Sequence, residues 1–463
     1  MSDVVAVAGG GVAGLAAALA LAGAGHRVVV LERGVAPPDG PPGEAGQIWR
    51  RPTAPSFPHA HTLTSLGVSV LLDRAPEVVA AALDAGAVMV DLTRAKPPER
   101  AGAAETRQGD AALLALACRR PTLETVLYRV VRDLPGVEIR HDVRVDGVTL
   151  VADRVTGVVT DRGERIAAGL VVDASGRRAL GRSWLAGHGI TMRPDVHSPS
   201  NMRGFSRFYR RLGQTATLNR GNAEGVLGDH YAAVLHPGDN GTFSIALETL
   251  AEDRTMRVLR DPAAFTAVAK ATPGVADWLG PGMSEPITEV RAITCPPNAL
   301  RTLAVAPPVT GLVPVGDAAA TTNPLYGRGM SLAFAHAFRL GDLLAAGDVG
   351  RAATGGLAAD LVLPWFRLAV ADDEERIGHW RAALHGWAPP PRPPRLTMRT
   401  IARVAGRDAD VWRGLVRVLM GLSQPDSVLA DPVFADRVYR LLADEAAPSA
   451  MPTRADLLAA VAS

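Results

Sequence analysis

The chain has 463 residues, 48% apolar and 21% charged, which excludes wholesale disorder and allows two or three domains around a large core. Its 49 basic and 47 acidic residues leave a formal charge of +2, so no polyanion-binding surface is indicated and nucleic acid is not an expected partner. Cys118 and Cys295 are too few for a disulfide framework or a cysteine zinc site, and a reducing cytoplasm is the expected location.

Val4 to Ala8 is a short apolar run of strand length closed by glycines. Ala13 to Ala24 reads as a buried alanine- and leucine-rich helix stopped at Gly25, and Arg27 to Glu32 as a second strand. The stretch Val4 to Gly25 carries no charge and is long enough to span a bilayer, but its six glycines and the lack of a basic start favour a buried strand and helix. No membrane span is therefore expected. Gly9-x-Gly11-x-x-Gly14 falls on the first strand-to-helix turn, with Val12 and Ala13 opening the helix. Gly9 permits the tight turn, Gly11 lets backbone approach a pyrophosphate, and Gly14 lets helix pack on strand. The helix N-terminus adds free N–H groups and partial positive charge. Glu32 ends the second strand, followed by Arg33, at the spacing of an acid that binds adenosine ribose hydroxyls. That acid disfavours a 2′-phosphate, so FAD and NAD remain open at this point.

Further along, Trp49-Arg50-Arg51 precedes His59 and His61 in the loop after the second strand. The two histidines lack a matching carboxylate or cysteine cluster, so no metal site is expected. Either orders a pocket by hydrogen bonding or is a satisfied structural histidine. Arg203 to Arg210 and Tyr231 to Leu250 read as strands, the latter broken by the hairpin turn Pro237-Gly238-Asp239-Asn240-Gly241. Phe205, Phe208, Tyr209, Tyr231 and Phe243 concentrate there, as core packing or as walls for an apolar substrate, and Arg203 is a further pocket candidate. Gly311 to Ala319 is a strand ending in Gly316-Asp317, followed by Asn323-Pro324-Leu325-Tyr326-Gly327-Arg328-Gly329-Met330-Ser331 and a helix to about Leu344. Beyond 345 the chain is mainly helical, interrupted by the proline-rich connector at residues 388–394.

The Gly-Asp segment with P-x-x-G-x-G-M resembles the flavoprotein monooxygenases of the para-hydroxybenzoate hydroxylase type, and so does Arg120-Pro121-Thr122-Leu123-Glu124 before a helix to about Leu134. The resemblance runs in ordered motifs over roughly residues 3–345. It extends to bacterial FAD-dependent oxidoreductases that share an H-x-H segment, the P-G-D-N-G-T-F-S hairpin and N-P-L-Y-G-R-G. It implies a Rossmann-like, GR2-type α/β FAD-binding domain at residues 1–190 and 300–345, a substrate-binding β-sheet domain inserted at 191–299, and a helical region at 346–463. It further implies that Asp317 bonds the ribityl chain, that Pro324, Gly327, Gly329 and Met330 run beside the isoalloxazine, and that Arg120, with Arg119 as competitor, reaches the pyrophosphate or ribityl region. Arg50 or Arg51 contacts FAD on the same resemblance, and Tyr326 contacts substrate or ring.

Asp173-Ala174-Ser175-Gly176-Arg177-Arg178-Ala179 departs from the family's D-x-D-G-x-x-S, with Ser175 for Asp and Ala179 for Ser. Asp173 remains a cofactor-site candidate, while direct NAD(P)H reduction is put in doubt. The implied activity is insertion of one oxygen from O2, through a flavin C4a-(hydro)peroxide, into an apolar small molecule of secondary metabolism, with NAD(P)H or a partner flavin reductase as electron donor. A redox-neutral FAD-bound cyclase or isomerase and a flavin-dependent C=C reductase are the alternatives, and a monomer or homodimer fits either. There is no G-x-S-x-G for a nucleophilic hydrolase and no W-x-W-x-I-P of the flavin halogenases.

Overall fold

A computed structural model describes residues 4–59, 61–95, 106–213, 224–444 and 451–462. The chain opens with β1 (Val4–Ala8), α1 (Val12–Gly23) and β2 (Arg27–Glu32), followed by α2 (Arg120–Arg132), β3 (Val137–His141) and β4 (Leu170–Asp173). β1 pairs parallel with β2 on one side and β4 on the other, the geometry of right-handed crossovers in a doubly wound sheet. The apolar run that looked long enough for a bilayer is thus a central strand and a helix beneath it. Val5, Val7, Leu15 and Leu21 are all buried, and each such side chain contributes about 1.5–3 kcal/mol.

Next comes an antiparallel sheet of β5 (Met202–Arg211), β6 (Glu224–Leu227), β7 (Tyr231–Pro237) and β8 (Thr242–Leu250), backed by α3 (Pro262–Ala271). Two short strands, β9 (Ser284–Pro286) and β10 (Arg291–Thr294), pair with β5, and the main order is β6-β7-β8-β5-β9. The chain then returns to the first sheet as β11 (Leu312–Pro314), which completes the five-stranded order β11-β4-β1-β2-β3 and leads into α4 (Gly329–Ala345). This is the α/β class expected, with a parallel Rossmann-like sheet, an inserted antiparallel sheet and C-terminal helices.

Those helices include α5 (Leu363–His385), α6 (Met398–Val404), α7 (Ala409–Leu419) and α8 (Arg454–Ala462). Residues 351–385 form one stretch apolar and long enough to cross a membrane by composition. It packs as a core element instead: α5 buries Trp365 and Trp380 together with Asp373 and Arg376, and that ionic pair is held by protein partners. Residues 387–393 are non-helical, as the prolines require.

The hairpin Pro237 to Gly241 does more than turn the chain. Asp239 is fully buried and accepts from the Arg119 backbone N–H (2.7 Å), from Arg119 Nε and Nη2 (2.9 and 2.6 Å), and from Thr122. Asn240 donates to the carbonyl of Ala85. The tip of the inserted sheet is therefore fastened to the start of α2 in the nucleotide-binding part.

Candidate functional site

Three joined chambers lie between the two sheets and the C-terminal helices. The first, about 590 Å³, sits at the carboxyl end of β1 and β2, where ligands bind in open α/β sheets. Gly9, Gly11, Glu32, Arg33, Arg51 and Arg120 are among its walls. Gly9 has φ +118°, and a Cβ there would lie 2.4 Å from the carbonyl of Ala174, so only glycine fits. Gly14 lies beneath the chamber rather than in it: a Cβ would fall 1.8 Å from the Gly9 carbonyl, which shows how closely helix meets strand. Gly11, by contrast, faces open space, and no side chain caps the N-terminus of α1. Its N–H groups are free to meet an anion.

A buried ionic chain forms the floor. Glu32 accepts from the backbone N–H of Gly10 and Gly34 (2.7 Å each) and from Arg51 (3.1 Å). Arg51 also contacts Glu124, which in turn takes Arg120 Nε at 2.5 Å, and Arg120 donates to Ser56. Burial pushes the Glu124 carboxyl up, but Arg120 and Arg51 outweigh it and hold the group below its ordinary value. The acid of R-x-x-L-E thus holds two arginines against the chamber. The competing pairs also separate: Arg119 is spent on Asp239 and Gly43, and Arg50 is exposed outside the chamber walls.

The second chamber, about 230 Å³, shares Gly11, Arg120 and Asp317 with the first. Val12, Ala13, Gly316, Pro324, Gly327, Gly329 and Met330 line it, as do His59 and His61. Gly316 and Gly327 have φ +59° and +65°, left-handed values that glycine adopts at little cost. No side chain caps α4, whose first turn borders the chamber. Burial pushes the carboxyl of Asp317 up, opposed by Arg120, Arg177 and Arg301.

The opposite wall is the inserted sheet, and side-chain alternation decides what it presents. Val234, His236, Ala246 and Glu248 point to the chamber. Phe205, Tyr209, Tyr231 and Phe243 point the other way, into the core beneath α3. Tyr231 bonds Thr272 there, and Phe243 stacks on Tyr209 at 5.2 Å. These four aromatics are therefore core, and Phe205 and Tyr231 do not reach the pocket. Arg203 shares the strand face of Phe205 and is likewise outside the chamber walls. Asp173 is also turned inward: fully buried, it accepts from Ser175 N–H (2.9 Å) and Gly181 N–H (2.7 Å), while Ala174 and Ser175 face the first chamber.

Three histidines on the second chamber are kept neutral at physiological pH. His59 sits 2.9 Å from Ser206 Oγ, and burial with Arg291 pushes it down to about 4. His236, 3.1 Å from Thr62, is likewise pushed to about 4 by burial, and His61 falls well below its usual value, mainly through burial. Glu248 behaves in the opposite sense. It is 4% exposed, its Oε2 has no hydrogen-bond partner among the described residues, and burial pushes it up to about 7. His236 and Glu248 were not singled out from sequence. The available signal was a lone charged residue in the otherwise uncharged stretch Phe243 to Leu250.

The third chamber, about 180 Å³, opens from the second through Thr62, Val234, His236, Leu325 and Gly327. Tyr326 lines this one rather than the second. Its outer wall is α5, α6 and α7, so the C-terminal region, silent in sequence, closes the site. Between the chambers Arg328 is stacked between the rings of Tyr326 and Trp365 at 4.8 and 5.1 Å. Among the described residues no group of three or more His, Cys, Asp or Glu could hold a metal.

The family description "FAD dependent oxidoreductase" matches residues 4–66, the β1-α1-β2 unit and the loop to His61. Solved structures extend the likeness across the fold. A probable FAD-dependent monooxygenase, PqsL of Pseudomonas aeruginosa, is 17% identical over 82% of this chain and 98% of its own, with TM-score 0.58. The chain has an FAD-dependent oxidoreductase fold. A flavoprotein/dehydrogenase from Cytophaga hutchinsonii superposes at TM-score 0.64, with 16% identity over 96% of this chain and 100% of that one. The Diels-Alderase PyrE3 of pyrroindomycin biosynthesis gives 0.55, with 19% identity over 91% and 80%. Comparison with curated proteins gives no match by sequence.

The residues present fit FAD. The side-chain-free floor at Gly11, the uncapped α1, Glu32 beside it, and Asp317 where the two chambers meet form a continuous cradle for an adenosine, pyrophosphate and ribityl chain. Glu32 Oε1, which accepts only from Gly34 N–H, keeps acceptor capacity for a ribose hydroxyl, while Oε2 is taken by Gly10 and Arg51.

Proposed function

We propose that this protein is an FAD-dependent monooxygenase that transfers one oxygen atom from O2 to an apolar small molecule. The observation that carries this reading is the second chamber. It is continuous with the dinucleotide cradle and walled by small apolar strand residues and three neutral histidines, with the N-terminus of α4 at its edge. Glu32 and Gly11 would hold the adenosine and pyrophosphate, Asp317 the ribityl chain, and Gly327 to Met330 the ring. FAD, when bound, supplies the redox chemistry, passing electrons from a donor to O2.

The chain's own part is positional. The N-terminus of α4 offers partial positive charge beside the ring site, which favours negative charge there. Val234, Ala246 and Met330 present hydrocarbon to the chamber, which would limit water beside reactive oxygen chemistry. The neutral histidines offer hydrogen bonds without bringing a buried charge.

NAD(P)H or a partner flavin reductase is the electron donor in this proposal, and the enzyme works in the cytoplasm as a monomer or homodimer. A redox-neutral cyclase is the second reading, favoured by Ser175 and Ala179 in place of the family's Asp and Ser. Ser175 is engaged locally, its Oγ accepting from Leu180 N–H at 3.0 Å.

The test is a purified holoprotein, followed anaerobically for bleaching of flavin absorbance with NADPH, NADH or a flavin reductase. Oxygen uptake with isotope-labelled dioxygen and candidate apolar substrates completes it. Label in the product is expected. Substrate conversion without oxygen uptake would move the assignment to the cyclase, and a protein that binds no flavin would overturn both.

A further inference from the structure

The third chamber lies beyond the dinucleotide cradle, yet it shares Thr62, Val234, His236, Leu325 and Gly327 as walls with the ring end of the site. Its lining is dominated by hydrocarbon: Ala232 from the inserted sheet faces Met398, Ala402, Leu415, Leu419 and Met420 from the C-terminal helices and the end of α7. The charged residues at its edge are largely spoken for. Arg376 pairs with Asp373 at 2.9 Å and Arg399 with Asp229. Asp372, 8% exposed, has an Oδ2 with no hydrogen-bond partner among the described residues, and the same holds for Arg376 Nε and Nη1 and for Arg399 Nη1. Burial pushes this carboxyl up to about 7, opposed by Arg328. A largely apolar pocket whose unpartnered polar atoms include both N–H donors and a carboxyl suits a hydrocarbon chain that carries a hydroxyl, which can donate and accept.

We propose that the second and third chambers form one bent site for an extended hydrocarbon chain, with the reacting segment beside the ring and the remainder lodged between β7 and the helices α5 to α7. The substrate class is therefore a long aliphatic or polyene molecule, and the C-terminal helices set the length it can have. This rests on the monooxygenase reading for the identity of the reacting end, but not for the binding itself.

The two are separated by an equilibrium measurement. Straight-chain primary alcohols from hexanol to dodecanol are titrated into the oxidised holoprotein by calorimetry. Affinity should rise about fourfold per added methylene, the value for burying a CH2 group, until both chambers are filled. Ala402→Phe and Ala232→Phe fill the third chamber from opposite walls. Each should stop the rise at a shorter chain while leaving flavin content and the wild-type melting transition in place. Using both keeps the test alive if one variant folds poorly. Affinity independent of chain length, or the same length limit in wild type and both variants, would overturn the proposal. Chain-length dependence in a protein that converts its substrate without oxygen uptake would leave it standing and sink the monooxygenase reading alone.

Discussion

The nucleotide end and the ring end of this site are built on opposite principles. The glycine turn and the acid of the first chamber come from one short piece of chain, residues 8 to 33, with the 51–56 loop, Arg120 and residues 143–145 and 174–178 among its other walls, and its carboxylates are satisfied internally: Glu32 by two backbone N–H groups and Arg51, Glu124 by Arg51 and Arg120. The second and third chambers draw their walls from the 55–62 loop, four strands of the inserted sheet, the 316–333 segment and α5 to α7. There, Glu248 Oε2, Asp372 Oδ2 and all three guanidinium nitrogens of Arg328 lack hydrogen-bond partners among the described residues, although Arg328 is stacked on two rings. A cradle for a fixed cofactor can be closed once and left rigid. A wall that meets a variable substrate keeps polar atoms in reserve, at a cost in stability.

The comparison predicts its largest effect at the rigid end. Gly14→Val places a side chain where even a Cβ would stand 1.8 Å from the Gly9 carbonyl, so strand and helix must separate. A loss of roughly 5 kcal/mol or more is expected, with no flavin retained. Calorimetric unfolding together with flavin content checks it, and a stable, yellow variant would mean that helix and strand can part here without cost.

Next in size is the clasp between the two halves. Asp239→Asn leaves Arg119 without its buried counter-charge, and breaking such a pair costs about 3–5 kcal/mol. Burial raises the Asp239 carboxyl, but Arg119 outweighs it and holds the group below its ordinary value. The pair's contribution is therefore present above the unfolded-state value near 4 and is lost as pH falls through the folded one. Urea unfolding of both proteins should converge in acid and diverge at neutral pH. A constant difference across that range would show that the Asp239 charge is not what the clasp uses.

How far sequence carries follows the same division. Gly9, Gly11, Gly14 and Glu32 are legible because backbone geometry at one turn leaves no other residue type, and those constraints act within thirty residues. The hairpin at Gly238 to Gly241 was legible as a turn, but its role in fastening two parts of the fold depends on Arg119, far away in the chain. The aromatic strands left core packing and substrate wall both open because enrichment says nothing about which face turns inward. Alternation places Phe243 and Ile245 on one side and Ala246 and Glu248 on the other, and only the packing of α3 decides which side is core. Asp173 misled for a related reason: it sits at a motif position but spends both oxygens on the backbone of the following turn.

At the ring end the expected change has the opposite sign. Glu248 is buried and pushed up to about 7, so the folded state resists ionising it. Stability should fall as pH rises from the unfolded value near 4.3 towards 7, by at most about 3 kcal/mol for this group. Glu248→Gln removes that penalty: the variant should match wild type near pH 5 and exceed it at pH 8. Denaturant midpoints at the two values decide it, and a variant less stable at both would place Glu248 in a satisfied structural network instead.

The smallest effect belongs to the pair His59 and Ser206, 2.9 Å apart where the loop meets the pocket face of β5. A buried hydrogen bond between neutral groups is worth about 1 kcal/mol net, and Ser206→Ala should cost about that much. The histidine stays neutral in either protein because burial, not the serine, dominates its lowered value, with Arg291 adding to it. What the serine controls is the orientation of the ring. Flavin content should therefore be unchanged, while the spectrum of bound flavin and the affinity for an apolar ligand shift by a few-fold, and Ser206→Thr restores both by returning the hydroxyl. If Ser206→Ala instead lost its flavin or several kcal/mol, the pair would belong with Glu32 and Arg51 to the rigid end. The boundary between the two regions would then run through the second chamber and not between it and the first.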